Sequence, residues 1–162
     1  MLWEKLVLEG IHIAATSGMD LHGRTPFQGR FATFIQDQGL PVSQALTEAV
    51  RSGQTWVSKG PLLTACSLEK EQGILLEIQD GRKSGGAVEP GKKYLFTLRL
   101  PGGCLTGTMA PGSRVSIPWD KLAGFSRGEG ACPVIPKLYE EAVEPESLVC
   151  VSPVLYLPLG GR

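Results

Sequence analysis

The feature that most restricts how this chain folds is a change of period at Thr55. From there onward short runs with apolar residues at alternate positions are separated by turns rich in Gly and Pro, such as DGRKSGG, EPGKK, PGG and APGS. A period of two places alternate side chains on one face of a strand. The runs Thr55–Ser58, Pro61–Leu68, Ile74–Ile78, Tyr94–Leu100, Arg114–Pro118 and Leu148–Leu157 read as strands, with Tyr94, Phe96, Leu98 and Leu100 sharing one face. With 21 Gly and 12 Pro in 162 residues, turns are frequent enough to join roughly six or seven short strands into an antiparallel sandwich. Trp119 to Arg127 reads as a short helix or a loop over one open end, and Pro133 and Pro136 confine the next stretch to a sheet edge. The fold class expected is therefore α+β, mainly β.

The first third has a different grain. Leu2, Trp3, Leu6 and Val7 lie at helical spacing and Gly10 closes them, so Leu2 to Leu8 predicts a short helix. Ile11 to Ala15 then reads as a strand. Helix, tight turn and strand make half of a βα unit, in which the strand takes parallel neighbours. After the loop GRTPFQGR comes a β-like run, Phe31 to Ile35. A second helix starts at Pro41 and Ser43, with Ser43 as its cap, and stops at Gly53. The boundary falls near Ser58, giving segments 1–58 and 59–162.

Charge excludes several partners. Sixteen basic and sixteen acidic side chains balance to a net charge of zero, without a block of like charge. Binding to nucleic acid or to an anionic membrane surface is not expected. No apolar run approaches the roughly 20 residues that span a bilayer, and MLWEKLVLEG lacks the basic start of a leader, so a cytoplasmic location is expected. Cys66, Cys104, Cys132 and Cys150 are widely spaced, as free thiols are, without a Cys-x-x-Cys pair.

The residues that carry chemistry sit at the end of IHIAATSGMDLH. On a strand, Asp20 and His22 would project to one face about 6.6 Å apart, placed to share a metal ion; the alternative is a polar turn after the strand. His12 has the same parity but would lie about 26 Å from Asp20, so it reads as structural. Arg24 and Arg30 bracket the following loop and read either as solvated loop arginines or as a clamp for a phosphate or carboxylate. Two histidines in the whole chain are too few for a self-contained catalytic zinc site. GRKSGG lacks the order of a phosphate-binding loop and reads as a hairpin turn, and no Gly-x-Ser-x-Gly elbow is present.

The order LEGIHIAATSGMDLHG, GRFATFI, SQALTEAVRSGQTWVSKGPLL resembles the closing part of the PHP (polymerase and histidinol phosphatase) metal-dependent phosphoesterases, in particular the CehA-type metallohydrolases. In that family a late barrel strand ends in Ser/Gly-x-Asp-x-His, whose Asp and His bind metal. A helix ending like EALRAG follows, then a strand closing in VSNGP that leads to a β-sandwich. Asp20 and His22 match the ligand positions, Ala49 to Gly53 the helix end, and Val57 to Pro61 the junction. The resemblance covers roughly the first 65 residues, with Val154 to Leu157 similar to the closing strand of such sandwiches.

It implies a divalent ion (zinc, manganese or iron) on Asp20 and His22, and a helix/strand/helix remnant of a PHP-type (β/α) barrel in residues 1–58. The family's His-x-His and further His and Glu ligands have no counterpart here. The expectation is thus a C-terminal fragment of a metal-dependent phosphoesterase, incomplete as an enzyme by itself. The other ligands would come from a missing barrel portion or from a second copy in a homo-oligomer. The alternative is a non-catalytic β-sandwich interaction or oligomerisation module.

Overall fold

The computed structural model describes residues 2–17, 30–68, 73–81, 88–125 and 131–158. Along them run helix α1 (Leu2–Leu8), strand β1 (Ala32–Ile35), helix α2 (Val42–Ser52), strands β2 (Thr55–Ser58), β3 (Pro61–Leu68), β4 (Gly73–Asp80), β5 (Tyr94–Leu100), β6 (Gly103–Met109) and β7 (Arg114–Ile117), helix α3 (Trp119–Ala123), and strands β8 (Ala131–Tyr139), β9 (Leu148–Val151) and β10 (Leu155–Pro158). One sheet has the order β1-β2-β9-β8-β5-β6, with β10 also beside β8, and the other is β3-β4-β7. All these pairings are antiparallel.

Alternation decides which side chains meet between the sheets. Tyr94, Phe96, Leu98 and Leu100 of β5 all turn inward, as their period requires. They pack in one buried cluster with Leu63 of β3, Ile74, Leu76 and Ile78 of β4, and Val134 and Leu138 of β8. Two antiparallel sheets sharing one apolar layer is the arrangement of a β-sandwich. Burying each such side chain contributes about 1.5 to 3 kcal/mol.

The chain crosses from the large sheet to the small one at Ser58-Lys59-Gly60-Pro61. The corner is held by buried polar groups. Ser58 Oγ donates to Pro61 O at 2.5 Å and accepts from Gly60 N at 2.9 Å. Two residues further into β3, Leu63 O accepts from Ser152 Oγ at 2.6 Å and from Trp56 Nε1 at 3.0 Å. Gly60 has φ 141°, a backbone conformation that side chains resist.

The outer face of the large sheet is apolar too, and the N-terminal segment covers it. Val7 of α1 packs there on Ile135 and Tyr139 of β8 and Leu148 and Val151 of β9, with Trp3, Leu8 and Ala15 around them. In β9, Cys150 faces Leu138 while Leu148 faces Tyr139, so Val149 is an extra, bulged residue. The bulge lets Val149 and Cys150 join the inner core while Leu148 and Val151 join the outer one.

Three expectations are corrected. First, Ile11 to Ala15 is not a strand and has no parallel neighbours. It crosses the outer face of the sheet, where a backbone cannot enter a ladder. Its carbonyls are taken by side chains instead: Trp3 Nε1 donates to Ile13 O at 3.0 Å and Thr55 Oγ1 to Ala15 O at 2.6 Å. Second, Pro133 and Pro136 do not mark an edge, since β8 lies between β5 on one side and β9 and β10 on the other. A strand residue directs its N–H and C=O to the same side. Pro136 O accepts from Ser152 N at 3.0 Å, so the donor Pro136 lacks would face the break between β9 and β10. Pro133 has the opposite parity and lies past Ile135, the last residue of β8 paired with β5. Pro136 thus forgoes only the return bond to Ser152 O, in the break between the two strands. Third, Ser43 does not cap α2; Pro41 occupies that position with no side-chain cap, although Gly53 closes the helix in the left-handed region as expected.

One ion pair joins the cover to the sheet. Lys137, on the outer face of β8, pairs with Glu4 of α1, and both side chains are largely buried. Burial pushes the Lys137 ammonium below its ordinary value, and the Glu4 carboxylate offsets that cost. Removing the partner alone, in Glu4→Ala, should destabilise the chain by about 1 to 3 kcal/mol in denaturant titrations. Replacing both partners together, in Glu4→Leu/Lys137→Met, should be neutral or stabilising at pH 7. Because folding lowers the Lys137 value, the charged form opposes folding at neutral pH and is relieved as pH rises. Any stability advantage of the double variant over the natural chain should therefore shrink as pH approaches 10.5.

Candidate functional site

The outer face also organises the ends of the segment that carries the expected ligands. Thr33 of β1 stands opposite Val57 of β2, on the side where Val57 joins the outer core. From that position Thr33 Oγ1 accepts from Ser17 N at 2.9 Å and donates to Ser17 O at 3.2 Å, while Ser17 Oγ donates to Phe31 O at 3.3 Å. The chain on either side of residues 18–29 is thereby pinned together on the sheet. Asp20, His22 and Arg24 lie outside the described residues. Arg30 is described and exposed, next to the pin.

Beside the pin the cover leaves a hollow of about 400 Å³. Its floor is Val57, Leu148 and Val151, its walls are Trp3 and Phe31, and Ala14, Ala15 and Thr16 form its third side. The lining is almost wholly apolar because β2 and β9 present only aliphatic side chains there. Lys59, just past the end of β2, holds its ammonium 5.1 Å from the centroid of the Phe31 ring and donates to Glu146 O at 3.5 Å. Reading the sequence assigned no chemistry to Lys59 and none to Trp3 or Phe31. The only trace of the hollow in the sequence is the run Ala14-Ala15-Thr16, small residues where a filled core would carry larger ones.

His12 is exposed, and its ring stacks on that of Tyr156 with centroids 4.0 Å apart and planes 5° from parallel. It borders a small cleft of about 120 Å³ with Arg51 and Gln54 at the end of α2. The stack gives His12 a packing role, in line with its sequence reading.

Three of the four thiols are not activated nucleophiles. Burial raises Cys104 and Cys132 above the ordinary thiol value and pushes Cys150 up to about 11, which keeps them protonated at neutral pH. An Asp and a His together offer a hard oxygen and an imidazole, a donor set that zinc, manganese or iron accepts. Two donors fall short of the three or four that a protein site provides. Among the described residues no group of three or more His, Cys, Asp and Glu is placed to hold a metal ion. No described helix is long and apolar enough to cross a membrane. No family model, curated protein or solved structure matches this chain.

Thr33→Val keeps the shape and removes both hydrogen bonds to the Ser17 backbone. It should cost about 1 to 2 kcal/mol of stability and speed hydrogen exchange at the Ser17 amide, while amides in β5 keep their protection relative to global unfolding.

Proposed function

We propose that this chain supplies Asp20 and His22 to a divalent-metal site of a PHP-like phosphoesterase. The remaining ligands come from a barrel portion outside the described fold or from a second copy of the chain. Arg24 and Arg30 steady the anionic substrate. A metal in such a site lowers the pKa of a bound water and polarises the phosphoryl oxygen. The observation that supports this reading best is the pinned stem at Ser17, Phe31 and Thr33. It ties both ends of the ligand-bearing segment to a rigid sheet, and rigid support is what a metal site needs from its scaffold.

A second reading rests on a different observation. Val42, Leu46 and Val50 of α2, and Ile13, which borders a cleft with Val50, are exposed apolar side chains, as is Ile11. Residues four apart on a helix line up in a stripe, and exposed apolar stripes are features of interaction surfaces. Under this reading the sandwich is a non-catalytic interaction module.

Zinc and manganese titrations of the purified chain separate the two. The metal reading expects the melting temperature to rise by a few degrees with saturating metal, and expects the rise to vanish in both Asp20→Ala and His22→Ala. An equal rise in both variants would sink it, and no rise in the natural chain would sink the form in which a second copy completes the site. The interaction reading expects the double variant to keep the natural chain's stability and its solution mass, compared with 17.3 kDa for one copy.

A further inference from the structure

We infer that β6 is an interface between two copies of this chain, at which a second copy adds its own β6 antiparallel and continues the large sheet across a two-fold axis. The argument begins with an edge that the fold leaves open. Among the described residues no strand pairs with the far side of β6, so alternate residues of β6 direct their N–H and C=O groups away from β5. Edge strands are commonly blunted by shortness, charge, proline or a bulge. The other edges here are blunted or plugged. β1, β7 and β10 have four residues each, with Arg114 in β7 and Pro158 ending β10. On β3 the carbonyls of Pro61 and Leu63 accept from the side chains of Ser58, Ser152 and Trp56. β6 has none of these devices. It is seven residues long, GCLTGTM, without charge or proline, and it pairs with β5 residue for residue from Gly103 to Met109.

The occupant follows from the strand's own spacing. Copies related by a two-fold axis normal to the sheet meet through the same patch, with strands antiparallel and inner faces together. Pairing over the whole strand puts Thr106 on the axis, Leu105 opposite Gly107 of the second copy, and Cys104 opposite its Thr108. On the inner face a large side chain thus meets a glycine. Gly107 is already roofed by Phe96 of β5, whose ring would lie 2.5 Å from a Cβ placed there. The second copy's Leu105 therefore packs toward that ring with no side chain between them. On the outer face the exposed Thr106 meets its own copy, and Thr–Thr is a favourable cross-strand pair. Neither strand carries a charge that opposes the approach. β1 lies at the opposite end of the sheet from β6, so with strands about 4.8 Å apart the two pinned stems end about 50 Å from each other. This contact does not complete a metal site, and the inference stands whether or not Asp20 and His22 hold a metal.

The test is sedimentation equilibrium of the whole chain. The mass is expected to rise with concentration from 17.3 kDa toward twice that value and no further. Thr106→Lys sets two ammonium groups against each other on the axis and should weaken dimerisation about tenfold or more. Leu46→Lys, on the exposed stripe of α2, should leave it unchanged. Hydrogen exchange in the natural chain gives a reading that needs no variant: alternate amides between Cys104 and Thr108 should slow as the dimer forms, while amides of β1 keep their rates. The inference is overturned if the natural chain stays monomeric up to about 1 mM, which would leave the edge to a strand of another protein. It is also overturned if the mass grows past the dimer, as head-to-tail joining of β6 to β1 would produce, if a folded Thr106→Lys variant dimerises as tightly as the natural chain, or if β6 amides exchange alike in monomer and dimer.

Discussion

The structure depends on β8 being buried from both sides. Eight of its nine residues are buried, which is possible only if each face of the large sheet has its own covering layer. The three-stranded sheet β3-β4-β7 covers one face through Val134 and Leu138; α1 and the segment after it cover the other through Ile135 and Tyr139. A strand with two apolar faces in an antiparallel sheet is a liability unless both are capped. The N-terminal residues are therefore part of the sandwich, layered on it as a third tier.

That requirement explains the unusual chemistry of the outer layer. Lys137 falls on the outer face by strand parity, between Ile135 and Tyr139, where an aliphatic residue would pack without electrostatic cost. Its pairing with Glu4 gives the cover one position on the sheet, since sliding α1 would leave both charges buried and unpaired. Downstream, Thr55 and Thr33 use their hydroxyls to fasten Ala15 and Ser17 to strands on the same face. The cover is thus attached by polar groups at its ends and apolar contacts at its middle. The hollow opens where neither reaches.

Strands with strict alternation were legible in the sequence, since β2, β3 and β5 begin and end where their periodicity says. What was not legible obeys pairwise geometry. β6 reads GCLTGTM, with glycines where an apolar face should be. At Gly107 a Cβ would come within 2.5 Å of the Phe96 ring on the neighbouring strand, so a bulky partner requires the glycine. The prolines of β8 pointed to an edge because the sequence does not tell which side each missing N–H would face. Ile11 to Ala15 has strand-like residues but lies over a sheet face, and residue type alone does not distinguish lying on a sheet from joining it.

The candidate site divides along the same line. Asp20 and His22 stand out as residue types in a short pattern, which a sequence displays directly. The hollow is made by residues from α1, the cover, β2, β9 and the turn before β1, none of which is unusual in its own stretch. Their meeting depends on where the cover comes to rest, and so on the Glu4–Lys137 pair and on the threonines that fasten its far end. The pin at Ser17 belongs to both features: it closes the stem of the segment bearing Asp20 and His22, and it fixes the backbone immediately after Thr16 on the rim of the hollow. Loosening the cover would therefore disturb both together. Filling the hollow from the Ala15 side would act on one alone, because Ala15 joins the outer core through its side chain while its tether to Thr55 runs through its backbone carbonyl.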